Sequence, residues 1–268
     1  MSAQTVLLDV DENKGIASVT LNRAHALNAL DQELSDNLRA AVAQVEFDES
    51  IRAVVVQGAG EHFMAGGDIR TFHAALAEAP AARRRLFERF ISEVHEAVMH
   101  IRRMPKPVIA SVQGAVAGFG LSLMNSCDLV IAADNAYFTL AYCHIGTSPD
   151  GSGTFGLPRT VGIKRAMEIA LLGERFDAAH AHQIGLVNRV VAPAELERAT
   201  YELATRLAAG PTRALGRTKR LLNQSLDNSL SEQLLAEQES FAACALDADF
   251  AEGLEAFLHK RKPTFQGR

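Results

Sequence analysis

The chain has 268 residues, of which 48% are hydrophobic, enough for one large core with at most a small appendage. Its formal net charge of −5 argues against general nucleic-acid binding, though not against a local basic groove for a phosphorylated small molecule. No apolar run reaches the ~18 residues of a membrane span. Cys127, Cys143 and Cys244 are an odd trio without disulfide-framework spacing, which points to a reduced, cytoplasmic setting.

Asp9, Asp11 and Glu12 stand where a basic, apolar leader would begin, so no targeting peptide is expected. Thr5–Val10 and Ile16–Leu21 read as a hairpin across Asp11–Gly15. Gln32–Phe47 has helical spacing, with Leu34, Leu38, Ala41, Val42 and Val45 on one stripe and Asp31 as N-cap. Arg52–Gln57 carries Ala53-Val54-Val55-Val56, a short buried strand. Ala74–Ala82 is alanine-rich around Pro80 and reads as a mobile loop over a pocket or a solvated connection. Arg83–Met104 reads as a long helix with Leu86, Phe90, Val94, Val98 and Ile101 inward. Pro105-Lys106-Pro107 stops it. Val108–Val112 and Leu129–Ala132 are further strands flanking a short helix at Leu121–Ser126. From Thr154 onward the chain is mostly helical, with a break at Gly210-Pro211. Amphipathic helices follow at Leu215–Leu222, Glu232–Leu246 and Phe250–Lys260. Strand–helix units first and helices last favour an α/β core with a helical C-terminal extension.

Two glycine turns carry the chemical signal. Phe63-Met64-Ala65-Gly66-Gly67-Asp68-Ile69 and Gly114-Ala115-Val116-Ala117-Gly118-Phe119-Gly120-Leu121 each leave a strand-like run and enter a helix-like one. Such turns can aim backbone N–H groups at one anionic oxygen. Tight strand–helix packing is the plain alternative, and Asp68 could simply cap the helix that starts at Ile69. Gly151-Ser152-Gly153-Thr154-Phe155-Gly156 matches G-x-G-x-x-G in letters, but it follows Pro149-Asp150 rather than a strand, so no dinucleotide site is assigned. Asp150 is either a turn residue or a carboxylate working beside the two turns. His95 reads as a partly buried structural histidine between Val94 and Val98. His144 and Cys143 lack ligand spacing, so no metal site is expected.

Together these motifs identify a resemblance. The chain resembles the crotonase (enoyl-CoA hydratase/isomerase) superfamily from about Val6 to Phe265. Its carriers are Leu21-Asn22-Arg23, Leu27-Asn28-Ala29-Leu30, the two glycine turns and Pro105-Lys106-Pro107-Val108-Ile109-Ala110. They continue with Cys127-Asp128-Leu129, Leu157-Pro158-Arg159, Gly185-Leu186-Val187 and Phe257-Leu258-His259-Lys260-Arg261. The resemblance implies an α/β fold, a spiral of ββα units over residues 1–200, and a helical trimerisation region over 201–268. It implies a homotrimer or a hexamer built from two trimers. It implies an acyl-CoA thioester substrate, with coenzyme A entering as part of that substrate rather than as a resident cofactor. Gly67 and Phe119 would supply the oxyanion-hole N–H groups. The acyl-CoA would lie along His25, Ala26 and Leu27 and along Ala65, Gly66, Asp68, Ile69 and Arg70. Phe257 and Lys260 match positions that reach the nucleotide end of CoA in a neighbouring subunit.

The departures from the pattern carry as much meaning. Hydratases of the family use two glutamates, and this chain has Ser122 and Tyr142 at those positions. Asp150, eight residues after Tyr142, falls where isomerases of the family carry a catalytic aspartate. The expected reaction is therefore a double-bond shift through a thioester enolate with Asp150 as acid/base. One alternative is substitution like that of 4-chlorobenzoyl-CoA dehalogenases, whose pattern places a histidine at His95 and a tryptophan at Tyr142; this chain contains no tryptophan. The other is a non-catalytic acyl-CoA-binding relative. Phe72, Leu76, Phe87, Phe90, Leu140 and Tyr142 are the expected pocket walls.

Overall fold

The structure, a computed structural model, describes residues 4–268. Strands β1 (Val6–Asp11) and β2 (Ile16–Leu21) form the expected hairpin, with Val6 opposite Leu21 and Asp11 opposite Ile16. Helix α1 (Gln32–Phe47) begins at Asp31, whose carboxylate accepts the Leu34 N–H at 2.9 Å. Its apolar stripe is buried throughout, as the spacing predicts. Strand β3 (Ala53–Gly58) then pairs in parallel with β2.

The next segment differs from the sequence reading. Helix α2 (Ile69–Ala74) runs into a 3-10 turn at Ala75–Ala77, and α3 (Pro80–Arg103) starts almost at once. Only Glu78 and Ala79 separate them, so Ala74–Ala82 is not a loop. Pro80 occupies the first turn of α3, where its missing N–H has no intrahelical role. Phe90, Val94, Val98 and Ile101 face inward, but Leu86 is 45% exposed. His95 is also exposed rather than partly buried.

Strands β4 (Val108–Val112) and β5 (Ala115–Ala117) lead to α4 (Phe119–Ser126). Strands β6 (Leu129–Ala133) and β7 (Tyr137–Thr139) lead through a 3-10 turn at Tyr142–Ile145 to α5 (Gly153–Val161) and α6 (Ile163–Leu172). Then come β8 (Phe176–Asp177), α7 (Ala178–Gln183), β9 (Arg189–Val191) and α8 (Leu196–Ala208). The chain closes with α9 (Thr212–Gln224), α10 (Leu230–Cys244) and α11 (Ala248–Leu258).

The strands fall into two layers. The larger sheet has the order β1-β2-β3-β4-β6-β9, parallel after the first hairpin, and the smaller has β5-β7-β8. Consecutive strands β4 and β5 go to different sheets, and β6 and β7 repeat the step. An isolated bridge from Met64 to Val116 extends the small layer, so Met64, Val116, Phe138 and Phe176 lie in one row. Each turn of the chain thus adds a strand to both layers before a helix, the ββα spiral that the resemblance implies.

Both faces of the central strands are covered. Val54 and Val56 of β3 enter the main core with α1 and α3, while Ala53 and Val55 meet Ala204 and Ala208 of α8. That double burial explains why the strand reads as a continuous apolar run rather than an alternating one. Buried Lys106 donates to the carbonyls of Val45 (2.9 Å) and Asp48 (2.7 Å) at the C-terminal end of α1. Lys219 ties α9 to the core through Asp128 at 2.8 Å and the carbonyl of Ile101.

The last residues fold back on α11. Asp249 accepts the N–H groups of Gln266 (2.7 Å) and Gly267 (2.8 Å), and Glu252 accepts from Arg261 and from the Thr264 N–H (2.7 Å). The Arg261 hydrogen bond, then that of Thr264, pulls the Glu252 carboxyl down to about 2. A carboxylate lowered in the folded chain adds stability above its ordinary value and loses it as pH falls through the lowered one. The Thr264 contact is therefore expected to persist at neutral pH and to loosen between pH 4.5 and about 2. Amide exchange at Thr264, corrected for its intrinsic rate, checks this; unchanged protection down to pH 2 counts against it.

Candidate active site

The two glycine turns come together because the backbone pairs them. Met64 accepts and donates across the isolated bridge, with Met64 N–H to Ala115 O at 2.9 Å and Ala117 N–H to Met64 O at 2.9 Å. Three residues on, Leu30 bridges Gly67: Leu30 N–H reaches Gly66 O at 2.7 Å, and Asp68 N–H reaches Leu30 O at 2.8 Å. In a parallel bridge of this kind the amide of the central residue, Gly67, points away from its partner strand. Phe119 is the first residue of α4, where an N–H has no intrahelical acceptor.

Glycine is needed where the turns touch. Gly66 has φ 94°, and a Cβ there would stand 3.2 Å from Ala117 O and 3.5 Å from Gly118 Cα. Gly118 has φ 51°, and a Cβ there would stand 3.4 Å from Gly66 Cα and 4.0 Å from Tyr142 Cζ. The site thus brings Gly67, Gly118, Phe119 and Tyr142 to one place. Phe72 closes one side: its ring tip lies 2.4 Å from where a Gly67 Cβ would be, and it makes edge contacts with Phe87 and Phe90. Among the expected walls, Leu140 is fully buried, whereas Leu76 is 59% exposed.

Asp150 belongs to the same cluster. Its Oδ1 accepts a hydrogen bond from the Tyr142 hydroxyl, and its backbone carbonyl accepts one from Ser122 Oγ at 3.0 Å. The next residue, Gly151, donates its N–H to His95 Nε2 on α3 at 3.2 Å. A Cβ on Gly151 would sit 2.4 Å from the Phe119 ring and 3.2 Å from Ser122 Cβ. The Phe119 side chain is therefore the floor on which the Asp150 turn rests. Ser126 Oγ, bonded to the Ser122 carbonyl at 2.8 Å and to Ser152 Oγ at 2.9 Å, fastens the far side of the turn. Ser152 adopts φ 70°, uncommon for a residue with a side chain.

Burial pushes the Asp150 carboxyl above the usual carboxylate range, against the lowering effects of the Tyr142 hydrogen bond and the nearby His95. Burial, the Asp150 charge and their hydrogen bond all raise the Tyr142 phenol. Tyr142 therefore stays protonated at neutral pH and can only donate to the carboxylate.

The other expected binding residues fall into three groups. His25 and Ala26 belong to a 3-10 turn at Ala24–Ala26 that Leu27 caps, and Leu27 O accepts the Ala65 N–H at 3.0 Å, so this segment is laced to Ala65. His25, Leu27, Ile69 and Arg70 expose their side chains along this edge. Asp68 is engaged elsewhere: it caps α2 through the Arg70 N–H at 3.0 Å and pairs with Arg23 at 3.1 Å. Burial opposes ionisation of Asp68, but Arg23 and the N–H groups of Arg70 and Thr71 outweigh it and hold the carboxyl low. Phe257 (82% exposed) lies on α11 and Lys260 just beyond it, outside these turns.

Two contributors escape the sequence reading. Asn28, fully buried, accepts the Arg23 N–H at 2.9 Å and donates to the carbonyls of Ala59 (3.0 Å) and His62 (2.8 Å). Its φ of 54°, next to Leu27 at 55°, is the local signal, since asparagine tolerates that region. The Ser122–Ser126–Ser152 set has no signal in spacing, because its members join a helix to a loop more than twenty residues away.

Comparison with known proteins places this geometry. A family model described as enoyl-CoA hydratase/isomerase matches residues 11–268. A 1,2-epoxyphenylacetyl-CoA isomerase of Escherichia coli is 38% identical over 255 residues, covering 95% of this chain and 96% of the relative. A "Probable enoyl-CoA hydratase" of Rhodobacter capsulatus is 36% identical over 269 residues and all of both chains. The crystal structure of an enoyl-CoA hydratase from Polaromonas sp. JS666 superposes with a TM-score of 0.91 at 35% identity, covering 97% of this chain and 99% of that one.

Proposed function

The chain belongs to the enoyl-CoA hydratase/isomerase family, and from that premise we propose that it shifts a double bond within an enoyl-CoA. The thioester oxygen binds the N–H groups of Gly67 and Phe119, and Asp150 moves the proton. A thioester C–H is weakly acidic, so its removal needs the developing enolate oxygen to be held. One carboxylate can then take the proton at one carbon and return it two carbons away. The raised carboxyl of Asp150 suits this task better than an exposed aspartate, because its basicity lies nearer neutral pH.

The observation that carries the reading is the state of Ser122. Hydration has to activate a water, and the family's hydratases use a second acidic residue for it. Ser122 is fully buried, its Oγ is spent on the Asp150 carbonyl, and a Cβ on Gly153 would stand only 2.8 Å from that Oγ. The Asp150 turn occupies the room that a longer acid at position 122 would need. The deciding experiment is incubation with 2-enoyl, 3-enoyl, dienoyl and aryl-CoA esters, with products read by mass and NMR. An isomerase leaves the mass unchanged, a hydratase adds water, and a substitution by Asp150 and His95 releases halide. Hydration at a rate comparable with isomerisation rejects the proposal.

Assembly is part of the proposal. Leu226, Leu230, Leu234, Phe241 and Leu246, in and around α10, are 55–89% exposed, more apolar surface than a solvated tail sustains. We expect trimers, alone or paired, formed through the helices after residue 200, with Phe257 and Lys260 reaching a neighbour's CoA. Light scattering should give three or six times the 28.9 kDa chain mass, and a monomer at micromolar concentration counts against it.

A further inference from the structure

We propose that Tyr142 is a positioning residue that reserves one oxygen of Asp150, so that the other alone carries the substrate's proton. The inference rests on the isomerase reading above and says which atom does the work. The Tyr142 O–H is donated to Oδ1, and among the described residues Oδ2 accepts from no side chain. The Tyr142 ring lies beside the turn that carries Phe119, its Cζ 4.0 Å from the place of a Gly118 Cβ, so the phenol stands between that turn and the carboxylate it bonds. The turn bearing Asp150 is pinned separately, by Ser122 on its carbonyl and by His95 on the following amide.

With Oδ1 occupied, the proton inventory is simple. Oδ2 takes a proton from the substrate carbon, and the C–H electron pair passes into the enolate whose oxygen sits in the hole. Oδ2 then delivers that proton to the second carbon, the enolate electrons form the new C–H bond, and the carboxylate is restored. One oxygen on one side of the enolate does both transfers, so the shift is suprafacial. The groups facing Asp150 are Tyr142 from the 3-10 turn, His95 from α3, and the uncharged Phe119 and Ser122 from α4. Tyr142 and His95 are the titratable ones.

The test compares the full-length wild type with Tyr142→Phe, which keeps the ring and removes only the donor. Aspartate labelled with ¹³C at the carboxyl is titrated by NMR, and the Asp150 resonance is identified by its loss in Asp150→Asn. The Asp150 midpoint is expected to rise in Tyr142→Phe, and to do so also in a His95→Gln background. Turnover should fall about tenfold with KM unchanged, the acid limb of the rate profile moving up in step. Difluorotyrosine at position 142, a stronger donor, should bring the midpoint and the rate back. An unmoved midpoint in Tyr142→Phe overturns the positioning role and leaves the isomerase reading standing. Full turnover in Asp150→Asn overturns that reading, and the oxygen assignment with it.

Discussion

Asp150→Asn is expected to lower kcat by at least ~10² while leaving acyl-CoA binding nearly unchanged. The substitution is a clean one, because asparagine keeps the shape of the side chain and an oxygen for the Tyr142 hydroxyl. The Ser122 and His95 contacts involve backbone atoms and survive as well. What disappears is the charge and the ability to hold a proton. In the wild type the base has to be ionised, so rate falls as pH drops through the Asp150 pKa. Burial raises that pKa, so the acid limb is expected above the ordinary carboxylate range near ~3.9. Solvent deuterium should enter the Cα or γ position with the wild type to the extent that the proton held by Asp150 exchanges with water before its return, and not with the variant. A variant with full turnover would move the base elsewhere, to His95 first.

Gly67→Pro is expected to cut kcat by roughly 10²–10³, the usual cost of losing one oxyanion donor, with a smaller effect on CoA affinity. The structure also supplies the control. Any Cβ at this position meets the Phe72 ring at 2.4 Å, so part of the loss is steric. Gly67→Ala makes the same collision but keeps the N–H. The rate ratio between the two variants isolates the donor, and equal activity in both would remove Gly67 from the hole. A ligand-bound structure offers an independent check, since the thioester oxygen should lie within ~3.5 Å of both amides.

Long elements were legible in the sequence, and short ones were not. The α1 boundaries and its Asp31 cap follow from periodicity and a side-chain preference acting within a few residues. Strands β5, β7 and β8 have two or three residues each, and only their neighbours in the small sheet make them strands. The stripe on α3 indicated which residues turn inward, but at the solvent-facing end it assigned Leu86 a burial it lacks. The same stripe misplaced His95, which is exposed and reaches toward the Asp150 turn. At the site, the glycines announced close approach because nothing else fits there. The union of Tyr142, Ser122 and Phe119 around Asp150 depends on how a 3-10 turn, a helix and a loop meet in space. Asp68 shows the converse: a residue next to Gly67 whose carboxylate is spent on Arg23 and a helix cap.

The bridges from Leu30 to Gly67 and from Met64 to Val116 have an evolutionary consequence. Both proposed donors are peptide groups held by main-chain pairing and by the glycines beside them, so neither depends on a functional side chain of its own. Mutation can place a serine or an acid at a position such as Ser122, or redraw a wall such as Phe72, without removing either proposed donor. Descent can therefore retire one reaction and take up another on unchanged foundations, and kinship in sequence alone is a poor guide to which reaction a given descendant kept.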